Sequence, residues 1–136
     1  MQLELQKCAF QVTLNPYPYK ILVAVFYSSE EVKSILRESE YSEETIDDYL
    51  KNSERSAGRV CDFYDGRLLL WIPKESDLIT FISRLTHEVN HVIDFVFEDL
   101  PMPLNSSTYE AYAYSKQKLM KDILEEVFEI KKENDI

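Results

Sequence analysis

Both histidines of the chain fall in one short motif, His87-Glu88-Val89-Asn90-His91, which has the pattern HExxH. On a helix, residues four apart share one face with their Cβ atoms about 5–6 Å apart, so two imidazoles can bind one tetrahedral metal ion. Glu88 is offset by one residue, which lets it contact a water on the metal rather than the metal itself. The motif therefore predicts a zinc site in which His87 and His91 are ligands and Glu88 is the catalytic base.

A catalytic zinc needs a third protein ligand and an open coordination position. Glu110 is one candidate, because helical periodicity places it at the margin of a buried arc, where a carboxylate needs a partner. Glu110 also has capping-box spacing to Ser107, so a purely structural role stays open. Asp94, three residues after His91, is a competing ligand or a residue that orients an imidazole. We expect Glu110 to be the ligand and Asp94 to orient a histidine.

This arrangement resembles the gluzincins, metallopeptidases in which HExxH on one helix is completed by a glutamate on the next. The resemblance is carried by the HExxH motif and by the Glu-x-x-Ala of Glu110 and Ala113, and it covers residues 67–114. The chain is also similar to very small gluzincin-like peptidase domains encoded by bacteria and their phages. The resemblance implies a zincin-like hydrolase in which Glu88 activates a zinc-bound water to attack a peptide carbonyl.

The resemblance also suggests how a peptide or protein substrate would bind. In zincins the substrate usually lies extended along an edge strand above the active-site helix, and residues 67–72 resemble that strand by their position in the sequence. Tyr109, Tyr112 and Tyr114 are candidates to contact the substrate or to stabilise the oxyanion, and nothing in the sequence selects one of them.

The elements that position these residues follow from hydrophobic periodicity and from turn residues. Ser76 or Asp77 can cap a long helix that carries HExxH, with its apolar residues on one arc and both histidines on the other side. Asp65-Gly66 predicts a hairpin with a type I′ turn. The predicted strands are residues 8–14, 21–27, 60–64 and 67–72, and the predicted helices are residues 28–37, 42–50, 77–99 and a last helix from 105–107 to about 130.

This order of elements predicts one α+β domain over residues 1–136, with the core of the site in residues 67–114. We expect a small zincin-like domain, in which a short, mostly antiparallel sheet packs on the HExxH helix and on the C-terminal helix.

The composition of the chain disfavours some classes of binding partner and indicates a cellular compartment. Acidic residues outnumber basic ones 25 to 15, giving a net charge of −10, which disfavours binding to nucleic acid or to anionic membranes. The longest apolar run, residues 21–27, is too short for a bilayer span and too deep in the chain for a signal sequence. Cys8 and Cys61 form no CxxC and are expected to be free thiols. We expect a cytoplasmic protein.

Two other classes of function remain open. One is a metal-binding domain that recognises a partner without cleaving it, although Glu88 argues for catalysis because a structural site needs no base. The other is an acidic interaction protein, such as a nucleic-acid mimic, built on the acid-rich residues 38–54, which otherwise form a solvated helical face. Hydrolysis of a small amide is chemically compatible with the same zinc site.

Overall fold

The computed structural model describes residues 6–51, 58–63, 65–100 and 102–134. The fold is α+β, as the order of elements predicts, with four helices and a four-stranded mixed sheet in the described part of the chain. The elements are β1 (Cys8–Thr13), β2 (Lys20–Val25), α1 (Ser29–Glu38), α2 (Glu43–Leu50), β3 (Arg59–Asp62), β4 (Arg67–Ile72), α3 (Leu78–Asp99) and α4 (Tyr109–Asn134).

The strand order is β1-β2-β4-β3. The β1–β2 and β3–β4 pairs are antiparallel and the central β2–β4 pair is parallel, so the expectation of a mostly antiparallel sheet is confirmed. The prediction that residues 67–72 form an edge strand for substrate is wrong, because β4 lies inside the sheet with a neighbour on each side. The apolar run from Leu68 to Ile72 is buried on both faces, which is typical of an interior strand.

Helices cover both faces of the sheet. On one face, Ile21, Val23 and Leu70 pack against α3 and α4 in the larger core, which confirms the predicted packing of the sheet on the HExxH helix and the C-terminal helix. On the other face, Ala24 and Trp71 pack against α1 and α2 in a second core. The HExxH helix therefore lies on one side of a sheet whose opposite face is already filled.

Local sequence signals place most helix ends correctly. Ser28 and Glu31 form a capping box at the predicted start of α1, and the side chain of Ser42 caps α2. The carboxylate of Asp77 caps α3 by accepting from the backbone N–H of Thr80 at 2.9 Å. The HExxH helix is therefore anchored at its predicted start.

Two local predictions need correction. The last helix begins at Tyr109 rather than between residues 105 and 107, because Asn105 starts a turn that ends at Thr108. The hairpin does not have the two-residue loop of a type I′ turn, because the backbone N–H of Phe63 donates to the carbonyl of Arg67 at 3.2 Å and three residues lie between them. The predicted strand residue Tyr64 and the acidic residue Glu54 lie outside the described residues.

The acid-rich stretch has the exposure expected of a solvated face. The six acidic side chains between residues 38 and 48 are exposed: Glu38, Glu40, Glu43, Glu44, Asp47 and Asp48. Among the described helices, none combines the length and the apolar content needed to span a bilayer.

Candidate metal centre

The two histidines lie one turn apart on the exposed face of α3. Their Nε2 atoms are 3.1 Å apart, and the ring planes are inclined at 76°. Two ligands of a tetrahedral zinc, each about 2.0–2.1 Å from the ion, are about 3.3 Å apart, so this pair has nearly the separation that zinc requires. The same geometry also permits one imidazole to donate an N–H to the other when their tautomers differ. His87 and His91 thus form a two-nitrogen site that a metal ion fits with little rearrangement.

Glu88 differs from the histidines because it is buried, with 5% of its surface exposed. Its Oε1 is 3.9 Å from His87 Nε2, and its ligand atom lies within 4.8 Å of both imidazole nitrogens used in the group. Its Oε2 accepts no hydrogen bond from any residue that the structure describes. A buried polar atom without a partner is costly, so a cation or a proton donor beside Glu88 would compensate.

Burial raises the pKa of the Glu88 carboxyl, and nearby His91, His87 and Arg59 oppose that effect. A carboxylate that holds its proton more tightly than usual is a stronger base once it is ionised. The electrostatics of Glu88 therefore agree with the predicted role of a general base.

A cavity of about 220 Å³ adjoins this group on its N-terminal side and is lined by Ser83, Arg84, His87 and Glu88. Arg84 is held in place by Glu75, because its Nη1 is 2.6 Å from Glu75 Oε2. Arg84 precedes Glu88 by one helical turn. The sequence did not identify Arg84 as part of this site, and its i, i+4 spacing to Glu88 was the only signal. The cavity gives a ligand access to Glu88, which is otherwise enclosed.

The structure does not bring Glu110 into the group. Its side chain is exposed on the first turn of α4, whereas the described metal-binding group consists of His87, Glu88 and His91. The alternative capping box is not formed, because the backbone N–H of Ser107 donates to Asn105 Oδ1 at 2.9 Å. Glu110 as the third ligand therefore stays a prediction, for which the observed group supplies no support.

Asp94 is also outside the group. It is exposed and lies, with Phe97 and Tyr112, at the wall of a cavity of about 370 Å³ between α3 and the start of α4. Its assignment as a ligand or as an orienting residue likewise stays a prediction.

The three tyrosines of the first turns of α4 occupy different environments. Tyr112 is half-buried, donates its hydroxyl hydrogen to the carbonyl of Met102 at 2.7 Å, and packs edge-on against Phe97. Tyr109 and Tyr114 are exposed, at 55% and 66%. The hydroxyl of Tyr112 is thus used to fix the loop before α4, while the other two are accessible from solvent.

Comparison of this chain with known proteins finds no matching family model, no similar curated protein and no similar solved structure. The function is therefore inferred from the residues of the site and from their geometry.

Proposed function

We propose that the chain is a zinc-dependent peptidase of minimal gluzincin type. The observation that carries the proposal is the position of Glu88, a buried carboxylate beside two imidazole nitrogens 3.1 Å apart, with one oxygen that has no hydrogen-bond partner among the described residues. If the site only held a metal and Glu88 were not a ligand, its buried carboxylate would cost free energy without a benefit. A carboxylate that must receive a proton during a reaction has a use for that free oxygen.

The roles divide among few side chains. His87 and His91 would hold the ion, and the third ligand in the proposal is Glu110, as the gluzincin resemblance implies. Zinc, when bound, supplies a Lewis acid that polarises a carbonyl and lowers the pKa of a coordinated water to about 7. Glu88 would take up a proton from the attacking water at its Oε2 and return it to the amine that leaves when the peptide C–N bond breaks. Its burial keeps competing solvent away from that proton.

The free edge of β3 favours a peptide over a small amide as substrate. In the described part of the sheet, β3 pairs only with β4, so its other edge can accept an added strand. Gly58, which directly precedes β3, lies against the side chain of Glu88. A peptide that extended the sheet at β3 would therefore run past the proposed base, in the role that the sequence assigned to residues 67–72.

A cytoplasmic location is part of the proposal. It is supported by Cys8 and Cys61, which are both free thiols, as is usual in a reducing compartment.

The test is to purify the protein without added zinc and to measure metal content and peptide cleavage on one sample. We expect one zinc per chain by native mass spectrometry, and cleavage of a mixed peptide library that stops on chelation and returns with zinc. Protein that is metal-free and also ignores added zinc in a titration would overturn the proposal. Protein that binds zinc and cleaves nothing would instead support the alternative of a metal-binding domain without catalysis.

A further inference from the structure

The chain has only two glycines, and they are used for different reasons. Gly66 lies in the hairpin turn with a φ of 86°, a conformation that residues with a side chain rarely adopt. Gly58 directly precedes β3, and its distinguishing feature is the small space beside it. A side chain at position 58 would meet the atoms of neighbouring residues.

The space beside Gly58 is taken by Glu88. A Cβ atom added at Gly58 would lie 2.8 Å from Glu88 Cγ, 3.2 Å from Glu88 Cδ and 3.1 Å from Ile72 Cδ1. Ordinary carbon–carbon contacts are about 3.5–4.0 Å, so the Glu88 side chain would have to move by at least about 0.7 Å. Ile72 can relieve its contact by turning a flexible tip, whereas Glu88 is touched in the middle of its side chain.

Packing is also what fixes the Glu88 carboxylate in place. Its Oε2 has no hydrogen-bond partner among the described residues, and its surroundings leave 5% of the residue exposed. Because no hydrogen bond from a described residue holds Oε2, the position of the side chain depends on the atoms that pack against it. The backbone at the start of β3 packs against this side chain, and Gly58 lets the backbone approach it more closely than any other residue would.

We infer that Gly58 is a positioning residue for Glu88, which sets where the proposed base stands relative to the two imidazoles. The inference rests on the proposed function for the role of Glu88 as a base, but the close approach of positions 58 and 88 does not depend on that role. A methyl group at position 58 would push the carboxylate out of its position while leaving His87 and His91 untouched.

The experiment compares Gly58→Ala with Gly66→Ala as a matched control, each in the wild-type chain, and adds Gly58→Ala to a Glu88→Ala chain. We expect Gly58→Ala to keep its zinc and its KM but to lose kcat by about 10- to 100-fold, as a shift of the order of 1 Å does in other active sites. Gly66→Ala should lower the melting temperature through its strained φ and leave kcat unchanged when assayed well below that temperature.

Thermal stability gives a second readout that needs no activity. Overpacking should lower the melting temperature of metal-free Gly58→Ala by about 4–10 °C. In the Glu88→Ala chain the obstructing atoms are gone, so the same change should cost nothing or raise the melting temperature by filling the space. This double-mutant comparison isolates the contact between the two positions.

An equal loss of melting temperature in both chains, or full kcat in Gly58→Ala, would overturn the inference. If the wild-type protein neither binds zinc nor cleaves peptides, the proposed function fails and the positioning role fails with it. The stability comparison then still decides whether the two side chains compete for the same space.

Discussion

Glu88→Gln is the most informative single change, because it keeps the shape of the side chain and removes its charge. Glu88 is buried, its Oε2 has no hydrogen-bond partner among the described residues, and burial raises the pKa of its carboxyl. A group whose pKa is higher in the folded state contributes stability that is fully present below the unfolded pKa. That contribution is lost as pH rises through the folded pKa.

The expected size follows from the environment of the side chain. Leaving a buried polar group unsatisfied costs about 1–3 kcal/mol, and more when the group is charged. The amide of Gln would also lack hydrogen-bond partners. The variant therefore regains only the part of the free energy of unfolding that is lost by burying the charge, about 1 kcal/mol. For a domain of this length that corresponds to a melting temperature about 3–5 °C higher than that of the wild type at pH 8. At pH 4 the two proteins should have the same melting temperature, since both side chains are then neutral.

The assay is a pair of thermal melts in chelator from pH 4 to pH 8, followed by zinc titration and peptide cleavage. Comparing the two proteins at each pH cancels the titration of all other carboxylates. With zinc restored, the variant should bind the metal, because the imidazoles are unchanged, and should lose hydrolysis by about 10²- to 10⁴-fold, the usual contribution of a general base.

Three results would refute parts of this reasoning. Loss of zinc in Glu88→Gln would make Glu88 a ligand, which its position within 4.8 Å of the ligand atoms of both histidines allows. Unchanged cleavage would remove it as the base. Equal melting temperatures at pH 8 would show that burying the charge of the Glu88 carboxylate does not lower the free energy of unfolding.

Three further predictions concern single residues. His91→Ala should reduce bound zinc below one tenth of the wild-type amount, whereas its exposed neighbour Asn90→Ala should not, as native mass spectrometry would show. Glu110→Gln should weaken zinc binding at least tenfold by titration and Asp94→Asn much less, and the reverse order would assign the third ligand to Asp94 and end the gluzincin resemblance. Burial raises the pKa of the Cys61 thiol from 9.0 to about 12, so labelling of native protein by a thiol reagent at pH 8 should be roughly a thousandfold slower than that of denatured protein, and equal rates would contradict its burial.

The elements of the fold could be predicted because their signals are local. Ser28, Ser42 and Asp77 cap helices where the sequence indicates, since a capping side chain bonds backbone only three residues away. The place of β4 in the sheet is not local, because it depends on a parallel neighbour more than forty residues earlier in the chain. The uninterrupted apolar run from Leu68 to Ile72 was nevertheless a sign of an interior strand.

In the site, too, contacts between residues close in the sequence could be predicted and those between distant residues could not. The i, i+4 spacing of His87 and His91 was enough to predict that their imidazoles meet, because one helix determines that distance. The contact between Gly58 and Glu88 could not be predicted, since it joins a strand to a helix thirty residues later. Only the rarity of glycine in the chain hinted that position 58 is special.

The burial of Glu88 follows from its place on the helix rather than from the motif itself. Each residue turns the helix by about 100°, so Glu88 lies between the exposed histidines and the buried arc that contains Leu85, Val89 and Val92. At that boundary a side chain is enclosed only if a neighbouring element covers it, and here the start of β3 does so. An HExxH helix without such a cover would present a solvated glutamate with an ordinary pKa. The start of β3 therefore contributes to the burial that raises the pKa of the Glu88 carboxyl, while the helix determines where the imidazoles of His87 and His91 lie.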